Sequence, residues 1–197
     1  DCSSIDEVLI CLNDDIFRGV SLITPFIIDI DINDQIKRYT SHKNIDRVVM
    51  YGVPENEAVK NKNTLTDAFI MTSDKIDNTK ELKKNIQSFN INMNFYTESI
   101  NYNVGLNGKV CIDTFGNVKN YLTHVKNYGN INNESLVNIL RNNNFKYKWL
   151  ITKDNVESCN ECQYRYMCND TDDIIINNNK FVKKNSCNYN PYKNEWT

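Results

Sequence analysis

Cys159, Cys162, Cys168 and Cys187 carry the clearest chemical signal in this chain, in the run CNECQYRYMC followed by NSCNYNPY. Their spacing is Cys-x2-Cys-x5-Cys-x18-Cys. Thiolates are soft ligands that select zinc, copper(I) or iron–sulfur clusters. A Cys-x-x-Cys pair puts two sulfurs on one tight turn, and the later cysteines close the shell. Clustered thiols in a sequence without an export signal point to a metal centre before they point to disulfides. A four-iron, four-sulfur cluster is the first reading, since all-cysteine ligation is its normal shell. A structural zinc in a four-thiolate tetrahedron uses the same ligands and is the alternative. Inert thiols or a disulfide are the remaining possibility.

Other reactive side chains carry weaker signals. Cys111 lies within KVCID, and strand alternation places it opposite Val110 and Ile112, as a small buried or half-buried thiol. Cys2 and Cys11 flank an apolar run and read as core or terminal thiols. His42 and His124 are isolated, and His124 reads as a surface-loop histidine, with a vestigial metal ligand as the alternative. Asp29, Asp31, Asp34 and Glu98 invite a general-acid or metal reading. With no histidine partner and no glycine-rich phosphate loop, they read better as helix caps and solvated ends. Tyr164, Tyr166, Tyr189, Tyr192 and Trp196 crowd the cysteines. They are expected to shield a centre from solvent, with a peptide-binding surface as the alternative. Arg165 either balances the charge of a thiolate-ligated centre or is solvated. No Ser–His–Asp or Cys–His constellation stands out, so no catalytic residue is assigned.

The elements that must position the cysteines belong to a mixed α/β chain. In the first part, residues 3–12 end in the apolar run VLICL, and residues 26–30 (FIIDI), after Pro25, form a strand candidate. Residues 31–42 carry Ile32, Ile36 and Tyr39 at helical spacing. Residues 47–51 (RVVMY) predict a second strand ended by Gly52 and Pro54. Strand, helix and strand in this short space fit one βαβ unit of a parallel sheet. The polar stretch 55–90 is expected to hold a strand near 68–72 and a helix near 79–87. From Asn90 the pattern alternates through INMNFY, GKVCID and NVKNYL, with Phe115-Gly116-Asn117 as the turn of a hairpin over 109–122. Residues 134–142 (ESLVNILRN) predict a short amphipathic helix. The soft boundary near 88–92 divides the chain into 1–90 and 91–197.

Charge excludes little but narrows the partners. The 23 Lys and Arg nearly cancel the 25 Asp and Glu, leaving −2 and no general electrostatic reason to bind nucleic acid or an anionic membrane. No run approaches the roughly 18 apolar residues of a membrane span. DCSSIDEVLI has no basic region followed by a long apolar stretch, so a cytoplasmic location is expected.

The stretches NMNFYTESINYNVGLNGKVCIDTFGNVKNY, YGNINNESLVNIL, WLITKDNVESCNECQYRYMC and NSCNYNPYKNEW together resemble a SPASM domain. This is the cysteine-rich module appended to radical S-adenosylmethionine peptide-modifying enzymes. The similarity is closest to the peptide maturases of grasp-with-spasm systems, which pair such a protein with an ATP-grasp ligase and a ribosomal precursor peptide. The resemblance implies a partial, half-barrel-like β/α region over 1–90, followed by a SPASM module with a β-hairpin and short helices. It also implies two cluster sites in a full domain. Here Gly105, Tyr121 and Thr171 or Asp172 stand where ligands of the first cluster are expected, while Cys159, Cys162, Cys168 and Cys187 match those of the second. Gly105, Tyr121 and Thr171 or Asp172 are accordingly expected to lie near one another.

The Cys-x3-Cys-x2-Cys loop needed to cleave S-adenosylmethionine does not occur in the sequence. The resemblance therefore implies a protein of a peptide-maturation system that holds one cluster and engages a precursor peptide or the ATP-grasp ligase. Two rivals remain: the C-terminal part of a radical peptide maturase, and a zinc-stapled interaction module without a redox role.

Overall fold

The computed structural model describes residues 19–41, 45–55, 69–74 and 89–196. The chain divides into two compact units, Asp1–Asp77 and Asn78–Thr197. The expected apolar run at 3–12, the helix at 79–87, and Cys2, Cys11 and His42 lie outside the described residues.

Among the described residues the first unit holds a three-stranded parallel sheet in the order β1–β2–β3, with β1 at Val20–Pro25, β2 at Ile45–Tyr51 and β3 at Phe69–Thr72. Helix α1, Ile32–Thr40, makes the crossover from β1 to β2. Asp31 caps it by accepting from the Asn33 N–H at 2.8 Å, as its residue type predicts. Tyr39 joins Val48, Met50, Val53 and Phe69 in the core, with Ile36 packed against them. The opposite sheet face is exposed at Ile23 and Ile70. Gly52 ends β2 at φ +70°, a conformation that favours glycine.

One expectation in this unit fails. Residues 26–30 are not a strand; β1 lies just before them, and Pro25 is its last residue, paired with Tyr51. A proline is tolerated there because it is the last residue of β1, which among the described residues is an edge strand. Past Phe26, whose N–H still donates to the Tyr51 carbonyl at 2.9 Å, a buried side chain rather than a ladder takes up the Ile27 and Ile30 backbone groups. Gln35 Nε2 donates to the carbonyls of Ile27 and Ile30 at 2.8 Å each, and Gln35 Oε1 accepts from the Ile27 N–H at 3.1 Å. With Ile27 and Ile30 held there, the segment turns and leaves Ile28 exposed.

The second unit is built from short pieces. Helix α2 runs over Met93–Asn101, strands β4 (Cys111–Ile112) and β5 (Val118–Lys119) form the expected hairpin, and α3 (Leu136–Arg141) and α4 (Asn143–Lys146) follow. Two single 3-10 turns at Tyr147–Leu150 and Lys153–Asn155 lead to the cysteines. Beyond Cys168 come the hairpins β6–β7 (Ile174–Asn177, Lys180–Lys183) and β8–β9 (Tyr189–Asn190, Glu195–Trp196). No closed barrel occurs among the described residues.

The alternation through INMNFY does not make a strand. The Asn92 side chain accepts from the Phe95 N–H at 2.8 Å and starts α2. A local cap thus overrides a short alternating pattern, and Ile91 and Met93 stay exposed. The hairpin turn follows its residue types. Gly116 adopts φ +81°, and the Asp113 carboxylate accepts from the Phe115 and Asn117 N–H groups at 3.0 Å each. Val118, Ile139 and Phe145 form one core cluster; Ile151, Val156 and Ile174 form a second, against which Cys159 packs.

Candidate metal centre

Local hydrogen bonds fold the cysteine segment. Ser158 takes a left-handed φ of +66°, which turns the chain into Cys159. The Cys162 N–H donates to the Cys159 carbonyl at 2.9 Å, and the Arg165 N–H to the Cys162 carbonyl at 3.2 Å. The Cys-x-x-Cys pair therefore sits on one turn, as its spacing predicts. Cys159, Cys162 and Cys168 are partly buried and Cys187 is exposed; none is in a disulfide. Burial against the second core cluster pushes the Cys159 thiol up to about 11, Lys153 and Lys183 work against that rise, and Cys168 adds to it. Burial also raises Cys162, and charge on Cys168 and Cys187 adds to the rise. Cys168 thus acts on both Cys159 and Cys162, and Cys187 acts on Cys162. Among the described residues, no three His, Cys, Asp or Glu side chains are drawn tightly enough to hold a metal ion.

The donor chemistry fits a thiolate-ligated centre. Buried thiols with raised pKa values are poor anions on their own, and a bound metal supplies the positive charge that stabilises them. Ammonium groups beside them reduce the residual negative charge.

Those ammonium groups belong to a network that single-residue inspection of the sequence misses. Asp170 is buried at 4% exposure and receives Lys183 Nζ at 2.5 Å and Lys153 Nζ at 3.7 Å. Burial alone would pull the Lys183 pKa down; the Asp170 carboxylate, with Cys187 and Cys159, more than reverses this and holds it above the ordinary lysine value. Asp173 pairs with Lys148 and lies 3.7 Å from His124 Nδ1.

His124 is a correction. It is buried at 2% exposure rather than on a surface loop, with Nε2 3.0 Å from the Thr171 carbonyl. That contact makes Nε2 the donor and leaves Nδ1 without a hydrogen-bond partner. Burial, partly opposed by Asp173, lowers its pKa below the ordinary histidine value.

The positions that the resemblance assigns to a first cluster fall in this same neighbourhood. A Cβ on Gly105 would sit 1.9 Å from the Asp170 carbonyl oxygen, so no side chain fits there without backbone movement. Thr171 meets His124, whose ring lies 6.1 Å from that of Tyr121.

The aromatic residues divide. Tyr164, Tyr189 and Trp196 pack with Phe89, with Phe89–Tyr164 centroids at 4.9 Å and Tyr189–Trp196 at 4.8 Å. The Tyr189 hydroxyl is held by Gln163 and Asn194. This cluster braces the Cys162–Cys168 loop against the chain around Cys187. Tyr166 instead hydrogen-bonds Asp154 and packs on Tyr96, and Tyr192 is exposed. Arg165 is neither simply solvated nor committed to the thiols. Its Nε donates to Asp154 at 2.7 Å and its guanidinium lies 4.3 Å from the Tyr166 centroid. Its charge nevertheless partly opposes the rise at Cys162.

The remaining candidates have ordinary roles. Cys111 is half-buried, and burial raises its pKa. Glu98 accepts from Asn107 at 2.8 Å. Among the described residues no helix is long and apolar enough to cross a membrane. No protein-family model, curated protein or solved structure matches this chain.

Proposed function

We propose that the chain is a SPASM-type protein of a ribosomal peptide maturation system. It holds one four-iron, four-sulfur cluster on Cys159, Cys162, Cys168 and Cys187, and engages a precursor peptide or an ATP-grasp partner. The observation that carries this reading is the turn that sets Cys159 and Cys162 together, with Cys168 acting on both, Cys187 on Cys162, and the cations of Lys153 and Lys183 alongside. Thiolate-rich clusters carry net negative charge, and nearby ammonium groups stabilise it and help set the reduction potential.

When bound, such a cluster supplies electron transfer or structural cross-linking. The protein's own groups would do the rest. The four cysteines would supply four ligands to such a cluster, leaving none of its irons open for substrate. Phe89, Tyr164, Tyr189 and Trp196 would brace the Cys162–Cys168 loop, and Asp170 holds the two lysines in place. This suits an auxiliary role better than activation of S-adenosylmethionine.

The test is anaerobic purification followed by iron, sulfide and zinc analysis. Brown protein with matched iron and acid-labile sulfide supports the reading. Colourless protein with one zinc per chain replaces it with a zinc-stapled interaction module.

A further inference from the structure

We infer that the outer edge of β6 accepts an extended, acidic segment of a partner polypeptide as an added strand. The inference takes the peptide-binding part of the proposed function and gives it a place and a chemistry.

The edge follows from hairpin geometry. β6 and β7 are antiparallel, with Ile174 opposite Lys183, Ile175 opposite Val182, Ile176 opposite Phe181 and Asn177 opposite Lys180. Asn178 and Asn179, both at positive φ, form the two-residue turn. In such a hairpin the pair flanking the turn is hydrogen-bonded and the pairs then alternate. Ile175 and Asn177 therefore bond to β7, while the N–H and C=O groups of Ile174 and Ile176 point away from it. Two bonds fix this phase independently: the Lys184 N–H donates to Asp173 O at 2.8 Å across the hairpin, and the outward Phe181 carbonyl on β7 accepts from the Glu157 N–H at 2.8 Å. The outer edge of β7 is thus engaged, through Phe181, by the chain at Val156 and Glu157. Among the described residues no third strand joins β6.

Beside that edge lies an open groove of about 570 Å³. Ile151, Ile174 and Phe181 line it, and the exposed side chains of Ile176 and Tyr147 flank it. Lys126, Lys148 and Lys184 also line it, against a single carboxylate, Asp173, that is already paired with Lys148. Unpaired backbone groups, an apolar trough for alternate side chains and a positive rim are the parts of strand-addition recognition. The rim chooses the occupant. Pairing β6 with β6 of a second copy would bring two lysine-rich rims together, whereas an acidic strand meets them with opposite charge.

The probe is a blocked peptide alternating Val with Asp or Glu, titrated by calorimetry into the full reconstituted chain. Binding is expected, and it should be lost when alternate peptide amides are N-methylated or when Lys replaces its acidic residues. Ile176→Pro removes an outward N–H that the hairpin does not use, so it should leave β6–β7 intact and weaken binding roughly tenfold. Ile176→Val should stay within about twofold of the native chain, because it keeps the backbone groups and most of the apolar surface. Lys126→Glu combined with Lys184→Glu, both exposed, should weaken binding without touching the hairpin backbone. Absence of binding, equal affinity for the N-methylated peptide, or an unchanged Ile176→Pro variant would overturn the inference. So would a dimer of the native chain that Ile176→Pro dissociates, which would make a second copy the occupant. Iron and sulfide measured on the same samples separate the two readings: this one fails by the peptide alone, the cluster by the metal alone.

Discussion

Asp170→Asn is expected to be the most damaging single substitution in the second unit outside its apolar core. The carboxylate is buried at 4% exposure and receives two ammonium groups, Lys183 at 2.5 Å and Lys153 at 3.7 Å, whose side chains are themselves only 11% and 5% exposed. An amide of the same shape keeps the packing and removes the charge, leaving two buried cations facing each other. Removing one partner of a buried ion pair costs about 3–5 kcal/mol, chiefly because the other charge is stranded. Both tryptophans of the chain, Trp149 and Trp196, lie in the second unit, so their fluorescence in urea follows that unit alone. At a slope of about 2 kcal/mol per molar urea, the midpoint should fall by roughly 1.5–2.5 M. Lys183→Met should cost less, since Lys153 still faces Asp170. Adding Lys183→Met to Asp170→Asn should recover part of the loss, because one stranded cation is gone. A midpoint shift below about 0.5 M for Asp170→Asn, or a double variant worse than the sum of the singles, would refute the argument.

Further outcomes follow from the same charges. The Lys183 pKa is held above its ordinary value, so its stabilisation is full below about pH 10 and is lost as pH rises through the folded value; alkaline unfolding that Lys183→Met leaves unchanged would contradict this. His124 is held below its ordinary value, so the stability it contributes is present above about pH 6.5 and is lost as pH falls through its folded pKa; an imidazole NMR titration at or above the ordinary histidine value would count against the buried placement. Asp113→Ala removes the acceptor for two turn N–H groups and the partner of Lys119, and should cost about 1–2 kcal/mol with the loss concentrated in amide exchange of the β4–β5 hairpin. Reconstituted protein with reductant and S-adenosylmethionine should release no 5′-deoxyadenosine above a Cys159→Ala control; release would return the radical-maturase reading.

Elements whose signals were local were legible in the sequence. Helix α1 carried its cap and its apolar face in adjacent residues, the RVVMY strand ended at a glycine, and the β4–β5 turn was spelled by Phe115-Gly116-Asn117 with Asp113 before it. Failures arose where a side chain from elsewhere satisfied the backbone. Nothing in FIIDI announces that Gln35, a helix residue, will take up its polar groups. The cysteine spacing identified the turn of the candidate centre but not its electrostatic surroundings. Lys148, Lys153 and Lys183 look like any solvated lysine, and Asp170 and Asp173 like any loop acid; only folding brings them together over up to 25 positions of chain. His124 was misplaced for the same reason, since its partner Thr171 lies 47 residues away. One signal was available: three aspartates beside the cysteine triad, Asp170, Asp172 and Asp173, in a segment leading straight into the apolar run III, are hard to keep solvated.

The central claim is that Cys159, Cys162, Cys168 and Cys187 act as one ligand set, with Cys111 outside it. The direct measurement is the visible absorption and the iron and sulfide content of the native chain beside five single Cys→Ser variants, all purified anaerobically. The account predicts one cluster per native chain, retained in Cys111→Ser and lost or sharply reduced in each of the other four. Full cluster content in Cys187→Ser, or loss in Cys111→Ser equal to that in Cys159→Ser, would contradict it.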